Sequence, residues 1–286
     1  MRLYPVGLVL IVLASAMLAA ENARESAPAG GGEAARGRIL FVADEWKQLE
    51  PLMEFLRTEG KFQVEKAEQK DLAQAPSAGP GQALAACYAV FQYIHGPMTP
   101  ETEKVLVRYA TEGGRLVALH HAMASARVKN PEWLKLAGIA ILPRTDPKTP
   151  WRVIAPVTHT LVNLRPEHYI TSHDVKYDRK VKYQSPDAGG PAGEFPALDL
   201  PNTEVFLNQQ FTDGREKTVL FAVLCTDPKT GEAIMQDRGG WYKPAGKGWL
   251  FYLQPGHAES DFRNRNYCQI ILNCLTWQPP AGAAAK

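Results

Sequence analysis

Strand-like and helix-like segments alternate through residues 38–138, and this alternation restricts the fold more than any other feature of the sequence. Residues 38–44 (RILFVAD), 88–94 (YAVFQYI) and 115–119 (RLVAL) are apolar and rich in branched or aromatic side chains, which is typical of parallel strands buried on both faces. Residues 46–58 instead place Leu and Met at helical spacing. The alternation predicts a doubly wound α/β fold with helices on both faces of a parallel sheet.

The pattern changes after Pro150, where strand-like segments follow one another with few helices between them. Six of these segments are predicted to be antiparallel strands: 149–157, 169–177, 203–208, 218–225, 233–237 and 248–254. A long loop is predicted over 185–201 and a closing helix over 261–275. Because no linker divides the halves, we expect one domain over 38–277 rather than two. Its fold class is a three-layer, doubly wound, mainly parallel α/β sheet extended by antiparallel strands.

The first twenty residues have the pattern of a secretory signal peptide. Arg2 is followed by the apolar run Leu8–Leu18 and then by small residues at Ala19 and Ala20. The run is shorter than the roughly 20 residues that a membrane-spanning helix needs. Residues 21–37 are predicted to be a flexible leader and 278–286 a disordered tail. We therefore expect a secreted or periplasmic protein with no membrane association in its mature form.

The charge of the chain excludes general capture of polyanions. The sequence has 32 Lys and Arg against 30 Asp and Glu, a formal net charge of +2, and basic residues never occur in runs longer than two. Neither nucleic acid nor an anionic membrane surface is an expected partner.

The cysteines indicate neither a thiolate metal site nor a redox pair, because the chain contains no CxxC motif. Cys87 and Cys225 adjoin apolar strands and are predicted to be buried. The segment after the fourth strand, residues 118–122 (ALHHA), offers no Ser or Cys between glycines, so covalent acyl chemistry at a strand-to-helix elbow is not expected.

Polar residues follow several predicted strands at the point where each strand ends. Asp44 and Trp46 follow the first strand, His95 the third, His120 the fourth, and His257 the last. The carboxyl ends of parallel strands meet at one edge, which is where ligands bind in open α/β sheets. We therefore expect His95, His120 and His257 to converge at one site. His121 is expected to face away from His120 because side chains alternate along a strand.

Two segments resemble the ThuA-like (trehalose-utilisation) family. Residues 112–120 (EGGRLVALH) look like its "GGglvglH" segment, and residues 246–257 (GKGWLFYLQPGH) look like its "GkGrvfY…lGH" segment. The closing Leu275-Thr276-Trp277 also resembles the usual end of the family. The resemblance implies a fold similar to class I glutamine amidotransferases and flavodoxins, and a role in sugar utilisation that includes keto-sugar derivatives of disaccharides. His120 stands near the position of the amidotransferase nucleophilic Cys, so amidotransferase activity is not implied.

The resemblance also carries over further positions. The family's His-Pro pair corresponds to His159-Thr160, and its Asp-Glu-x-Tyr segment corresponds to residues 174–177, which retain Asp174 and Tyr177. Trp241 lies near the position of the family's Trp before the Gly-Lys-Gly turn. The departures at Thr160 and Val175 favour a non-catalytic module that kept the fold and lost the chemistry, whereas the retained His120 and His257 oppose this interpretation.

The leading hypothesis is an enzyme acting on a small carbohydrate, a keto-sugar or disaccharide derivative, by isomerisation, elimination or hydrolysis. An imidazole can move a proton from a carbon next to a carbonyl. In this hypothesis His120 is the base, His257 the acid or oxyanion partner, and Asp174 the orienting carboxylate. The predicted substrate-binding residues are Asp44, Trp46, His95, Tyr177 and Trp241.

Two alternatives remain open from the sequence. In the first, zinc or a similar divalent metal is held by His95, His120 and His257 with Asp44 or Asp174, by convergence in the fold, because no local ligand motif such as HExxH is present. In the second, the chain is a non-catalytic sugar-binding or scaffold module.

Overall fold

The computed structural model describes residues 35–73, 84–213 and 216–280. The predicted signal peptide, residues 21–34 of the predicted leader and residues 281–286 of the predicted tail lie outside the described residues. Within these ranges, no helix combines the length and apolar character that crossing a bilayer requires.

The strands of the described part are β1 (Arg38–Ala43), β2 (Gln63–Ala67), β3 (Ala89–Tyr93), β4 (Arg115–Leu119), β5 (Ile139–Ile141), β6 (Arg152–Asn163), β7 (Arg179–Gln184), β8 (Ala192–Leu207), β9 (Gln209–Phe211), β10 (Thr218–Thr226), β11 (Ala233–Ala245) and β12 (Gly248–Leu253). The α-helices described over their full extent are α1 (Glu50–Thr58), α2 (Gln69–Ala73), α3 (Pro100–Thr111), α4 (Pro131–Ala137), α5 (Tyr169–Ser172), α6 (Glu259–Arg263) and α7 (Arg265–Thr276). Short 3-10 turns occupy Lys47–Leu49, His120–Met123 and Ser125–Lys129.

Ten of these strands form one sheet, in the order β2-β1-β3-β4-β12-β11-β10-β6-β8-β7. The strands from β2 to β12 run parallel to one another. Every pairing from β12 to β7 is antiparallel. The predicted α/β class, a parallel sheet extended by antiparallel strands, is confirmed. Because β12 comes from the end of the chain and pairs with β4, both halves of the sequence share this sheet.

Side chains of the parallel strands alternate between two apolar layers. Phe41 of β1 belongs to the layer that contains α1 and α7, whereas Val42 belongs to the layer that contains α3 and α4. Phe41 stacks on Phe91 of β3 with ring centroids 4.2 Å apart. Burial on both faces explains why these strands are continuous apolar runs, and it produces the three layers. The four cysteines, all in the described part, are buried and form no disulfide.

Two predictions for the second half are wrong. Residues 169–177 do not form a strand, since α5 occupies their first turn and packs against α7. Residues 185–201 are not all loop, because β8 begins at Ala192 and continues to Leu207. Gly and Pro hide this strand in the sequence, and Pro201 is accommodated at a register shift between the β6 and β8 pairs.

The predicted closing helix is also divided. Asn264 separates α6 from α7, and its side-chain oxygen accepts the backbone N–H groups of Asn266 and Tyr267 at 3.0 and 3.2 Å. The residue that caps a helix has non-helical backbone angles, so the first helix ends at the residue that caps the second. The break lets α6 approach the site described below while α7 covers the sheet.

His168 caps α5 and makes the stability of the fold depend on pH. Its Nδ1 accepts the N–H of Ile170 at 3.1 Å, and its Nε2 lies 3.2 Å from the Tyr242 hydroxyl. Burial lowers the pKa of His168 below its usual range, and Arg165 lowers it further. The unfolded chain therefore binds a proton more readily than the folded protein. The resulting stability is complete above about pH 6.5 and is lost as the pH falls from there towards the folded-state pKa.

We expect His168→Asn to lose this part of the pH dependence, because Asn keeps an acceptor for the cap and does not titrate. Urea unfolding of both proteins at about pH 7.5 and about pH 5.5 measures the difference. The free energy of unfolding is expected to fall less in the variant than in the wild type. An equal decline in both proteins would show that the cap does not couple stability to pH.

Candidate active site

Histidines from two strand ends meet at the carboxyl edge of the parallel half. The chain turns directly after β4 because His120 adopts a left-handed backbone conformation with φ of 38°, which begins the 3-10 turn. The ring centroid of His120 lies 4.3 Å from that of His121 and 5.3 Å from that of His257, which follows β12. The backbone turn thus gathers three imidazoles at one place.

His121 does not face away from His120, because strand geometry ends at Leu119. Its ring centroid lies 4.3 Å from that of His95 and 5.8 Å from that of His257. Burial lowers the pKa of His121 far below its usual range, and His120, His95, His257 and a buried arginine lower it further. His121 is therefore held as a neutral imidazole, which keeps a lone pair available for a ligand.

Glu204 of β8 completes the group. Its Oε1 lies 3.3 Å from Nε2 of His120 and 3.7 Å from Nδ1 of His257, and its side chain is 15% exposed. We call His120, His121, Glu204 and His257 the histidine cluster. The sequence analysis missed Glu204, because it comes from a distant strand and carries no local motif. One sequence signal could have identified it as a candidate, namely that it is a charged residue within the otherwise mostly apolar segment TEVFLN.

A backbone hydrogen bond and a ring stack fix the orientation of His120. Nδ1 of His120 lies 2.7 Å from the carbonyl oxygen of Gln254, so this nitrogen carries the proton and donates it. Phe206 stacks on the His120 ring at a centroid distance of 4.4 Å. Gln254 is itself held, since its Oε1 accepts the backbone N–H of Phe206 at 3.0 Å. Nε2 of His120 is consequently directed towards Glu204.

Hydrogen bonds from buried groups hold the loop that carries His257 in place. The Tyr93 hydroxyl donates to the Gly256 carbonyl oxygen at 2.8 Å, and Oδ2 of Asp261 accepts the Gly256 N–H at 3.0 Å. Gly256 has φ of 128°, and a Cβ there would lie 2.7 Å from a ring atom of Phe262. This position needs glycine for both reasons. His257 is 42% exposed, so it joins the cluster from the solvent side.

The first and third strand ends lie beside the cluster with different roles. The carboxylate of Asp44 accepts the backbone N–H of His95 at 2.8 Å and that of Gly96 at 3.2 Å, so it holds the loop in place. The His95 side chain is 61% exposed, and its Nδ1 lies 3.4 Å from Oε1 of Glu45. Trp46 is half-buried against the apolar layer of α1, with Nζ of a lysine 5.1 Å from its ring centroid.

Three residues predicted for the site are not brought to the cluster. Asp174 is 76% exposed beside His173, in the segment that packs on α7, because residues 169–172 form α5 instead of a strand. The Tyr177 hydroxyl donates to the backbone oxygen of Thr171 at 2.5 Å. Trp241 of β11 is fully buried in the layer that contains α3 and α4. Glu204, not Asp174, is the carboxylate beside His120 and His257.

His159 of β6, which the resemblance aligned with the family's His-Pro pair, is fully buried. Burial, together with the smaller effect of His120, lowers the pKa of His159 to about 3. Within the described residues neither of its ring nitrogens has a hydrogen-bond partner. His159 therefore stays neutral and does not reach solvent.

The histidine cluster combines nitrogen and carboxylate donors in a small volume. One donor atom from each of its four residues lies within 4.8 Å of the others. Three imidazoles and one carboxylate can move protons, and they are also a ligand set that transition metals accept. Together with His95 and Glu45 beside it, the cluster places groups that are capable of acid–base chemistry at one edge of the sheet.

Comparison with known proteins agrees with this fold. The sequence model of the ThuA family, described as trehalose utilisation, matches residues 41–278. The crystal structure of a ThuA-like protein from Bacteroides uniformis ATCC 8492 is similar with a TM-score of 0.56 and 16% sequence identity, over 88% of this chain and 95% of that one. A ThuA-like protein from Parabacteroides merdae ATCC 43184 is similar with a TM-score of 0.57 and 14% identity, over 84% and 89%.

None of the curated proteins matches the chain. The two structural relatives share the flavodoxin- and glutamine amidotransferase-like fold, and the family match covers nearly all of the described residues. The chain therefore belongs to the ThuA family, whose description is trehalose utilisation.

Proposed function

We propose that this protein is a carbohydrate-processing enzyme that acts on a keto-sugar or disaccharide derivative at the histidine cluster. The family description supports a carbohydrate as substrate. The observation that carries the proposal is a pair of imidazoles that solvent reaches, each beside a carboxylate: the exposed His95 with Glu45 at 3.4 Å, and the half-buried His257 with Glu204 at 3.7 Å. The signal-peptide pattern of residues 1–20 supports export, which N-terminal sequencing of the exported protein would test.

The reaction that suits these groups begins with loss of a proton from the carbon next to a sugar carbonyl. A carboxylate-paired imidazole accepts that proton, and a second group stabilises the negative charge that develops on the carbonyl oxygen. When the carbon that lost the proton carries a hydroxyl, transfer of the hydroxyl proton to the former carbonyl oxygen and reprotonation of the former carbonyl carbon give isomerisation. Departure of a β-alkoxy group, which takes its proton from the protonated imidazole, gives elimination.

In this proposal the general base is His95, not His120 as the sequence analysis predicted. His120 is fully buried, so a sugar does not reach it without rearrangement of Glu204 or His257. His95 is exposed, and its ring contacts His121. We therefore propose His95 with Glu45 for proton transfer and the histidine cluster for the carbonyl oxygen.

Proton NMR of the mature chain with disaccharides and their keto derivatives tests this proposal. We expect new sugar signals with the wild type and a rate about 100-fold lower with His95→Gln, the lower end of what a general base contributes. His173→Gln is the matched control, since His173 follows α5, is exposed and does not belong to the histidine cluster.

Saturation transfer to a sugar without turnover would overturn the enzyme proposal in favour of a binding module. Neither saturation transfer nor turnover across the panel would overturn the choice of carbohydrate. Equal rates for His95→Gln and the wild type would remove His95 from the reaction.

A further inference from the structure

We propose that the histidine cluster is a binding site for one divalent transition-metal ion, with His120, His121, Glu204 and His257 as ligands. The inference deepens the function proposed above, because it names the electrophile that would act on the sugar carbonyl. Metal binding itself does not depend on that function. It rests on three observations about these side chains.

The first observation is distance. Four ligands about 2.0–2.1 Å from a tetrahedral metal lie about 3.3 Å from one another. Oε1 of Glu204 lies 3.3 Å from Nε2 of His120 and 3.7 Å from Nδ1 of His257. All four donor atoms lie within 4.8 Å of one another, so only small side-chain movements are needed to bring them to the spacing of metal ligands.

The second observation is that nitrogen atoms in the cluster lack hydrogen-bond partners. Among the described residues, Nε2 of His120, Nδ1 of His121 and Nδ1 of His257 are buried atoms without one. Buried polar atoms are nearly always partnered, and an orphaned group costs about 1–3 kcal/mol. Three such nitrogens within the histidine cluster indicate a site that can accept one shared cation.

The third observation is the orientation of His120. Its Nδ1–H donates to the Gln254 carbonyl oxygen, so the lone pair of Nε2 faces the carboxylate of Glu204. Two electron-rich atoms held face to face in a buried site need a cation between them, either a proton or a metal ion. Metal-bound histidines commonly donate their other N–H to a backbone carbonyl in this way. The Nε2–Oε1 contact lacks hydrogen-bond geometry, which favours the metal.

The donor set also selects the class of metal. Three imidazoles with one carboxylate suit zinc and the neighbouring ions of the first transition row. Ca²⁺ and Mg²⁺ prefer sets made of oxygen atoms. His257 lies on the solvent side, where a metal can enter and where a sugar oxygen can approach as a fifth ligand. A metal at this point would act as a Lewis acid on the carbonyl oxygen.

The test is a titration of the chelator-treated full-length mature protein with Co²⁺ and, separately, with Zn²⁺. We expect one ion per chain by elemental analysis, visible Co²⁺ absorption of a low-symmetry four- or five-coordinate site, and displacement of Co²⁺ by Zn²⁺. His257→Ala should weaken binding by more than about 100-fold, since loss of a ligand exceeds the 10–100-fold effect of losing a supporting hydrogen bond. His173→Ala is the matched control.

Several results would overturn the proposal: no stoichiometric Co²⁺ or Zn²⁺ binding by the wild type, equal affinity of His257→Ala and His173→Ala, or tighter binding of Mg²⁺ than of Zn²⁺. Should His257→Ala fail to fold, Glu204→Gln in the same titration gives the second comparison. Turnover of sugar by a protein that binds no metal would reject this inference and leave the proposed function standing. Metal binding without any sugar turnover would support this inference and reject the proposed function.

Discussion

Glu204→Gln is expected to lower the turnover of a keto-sugar by about 100-fold or more without unfolding the protein. Glutamine preserves the shape of the side chain and removes the negative charge that lies 3.3 Å from His120 and 3.7 Å from His257. Removing the charge disturbs the two imidazoles that are proposed to stabilise the carbonyl oxygen, and loss of one oxyanion-stabilising donor typically lowers kcat by about 10²–10³. The charge matters here because its neighbours are buried or half-buried and water screens it poorly.

Steady-state kinetics on the substrate found by NMR, with circular dichroism as the folding check, measure this effect. Glu194→Gln is the matched control, since Glu194 lies on the same strand, β8, and is exposed. The control should keep wild-type kcat and KM. A folded Glu204→Gln protein with turnover within about threefold of the wild type would exclude Glu204 from the reaction, because that change is far below the expected electrostatic effect.

The parallel half of the fold was predictable because its information is local. Thr99 precedes Pro100 in the sequence, a combination typical of a helix start, and its Oγ1 accepts the N–H of Thr102 at 3.2 Å at the start of α3. Gly138 ends α4 with φ of 61°, as a glycine after a helix commonly does. Runs such as RLVAL need no distant partner to be recognised as buried strands.

The antiparallel half was less predictable because its strands depend on partners. β8 contains Pro196 and Pro201, which indicate a loop when the sequence is considered alone. Pairing with β6 and β7 on its two sides overrides that preference. The sequence predicts a strand over 203–208, which contains Glu204, but it does not indicate that this strand pairs with β6 and lies beside His120. The site carboxylate was therefore assigned to Asp174 from the family resemblance.

The direction of His121 shows a second limit of local patterns. Alternation along β4 predicts that consecutive side chains point to opposite faces. That rule stops where the backbone leaves the strand, and the left-handed conformation of His120 occurs together with contacts of its ring to Gln254 and Phe206. Both contacts come from distant parts of the chain, so the sequence around His120 could not indicate them.

Trp241→Ala is expected to lower the free energy of unfolding by about 3–5 kcal/mol, which corresponds to a fall in Tm of about 6–20 °C. The sequence suggested that Trp241 stacks on a sugar, whereas its ring is fully buried and packs on Tyr252 at a centroid distance of 5.5 Å. Removing it leaves a cavity in the layer of α3 and α4, and Nζ of Lys217, 5.2 Å from the ring centroid, loses a cation–π contact.

Thermal and urea unfolding measure the loss of stability, and sugar turnover is compared per folded molecule at a temperature where both proteins are folded. Trp249→Ala is the matched control, because Trp249 is only partly buried, and its loss of stability should be smaller. Turnover by folded Trp241→Ala should match the wild type, since the rings that the indole contacts in the described part of the chain, Phe211 and Tyr252, do not belong to the histidine cluster. A selective rise in KM with unchanged stability would instead return Trp241 to the sugar site and contradict its burial.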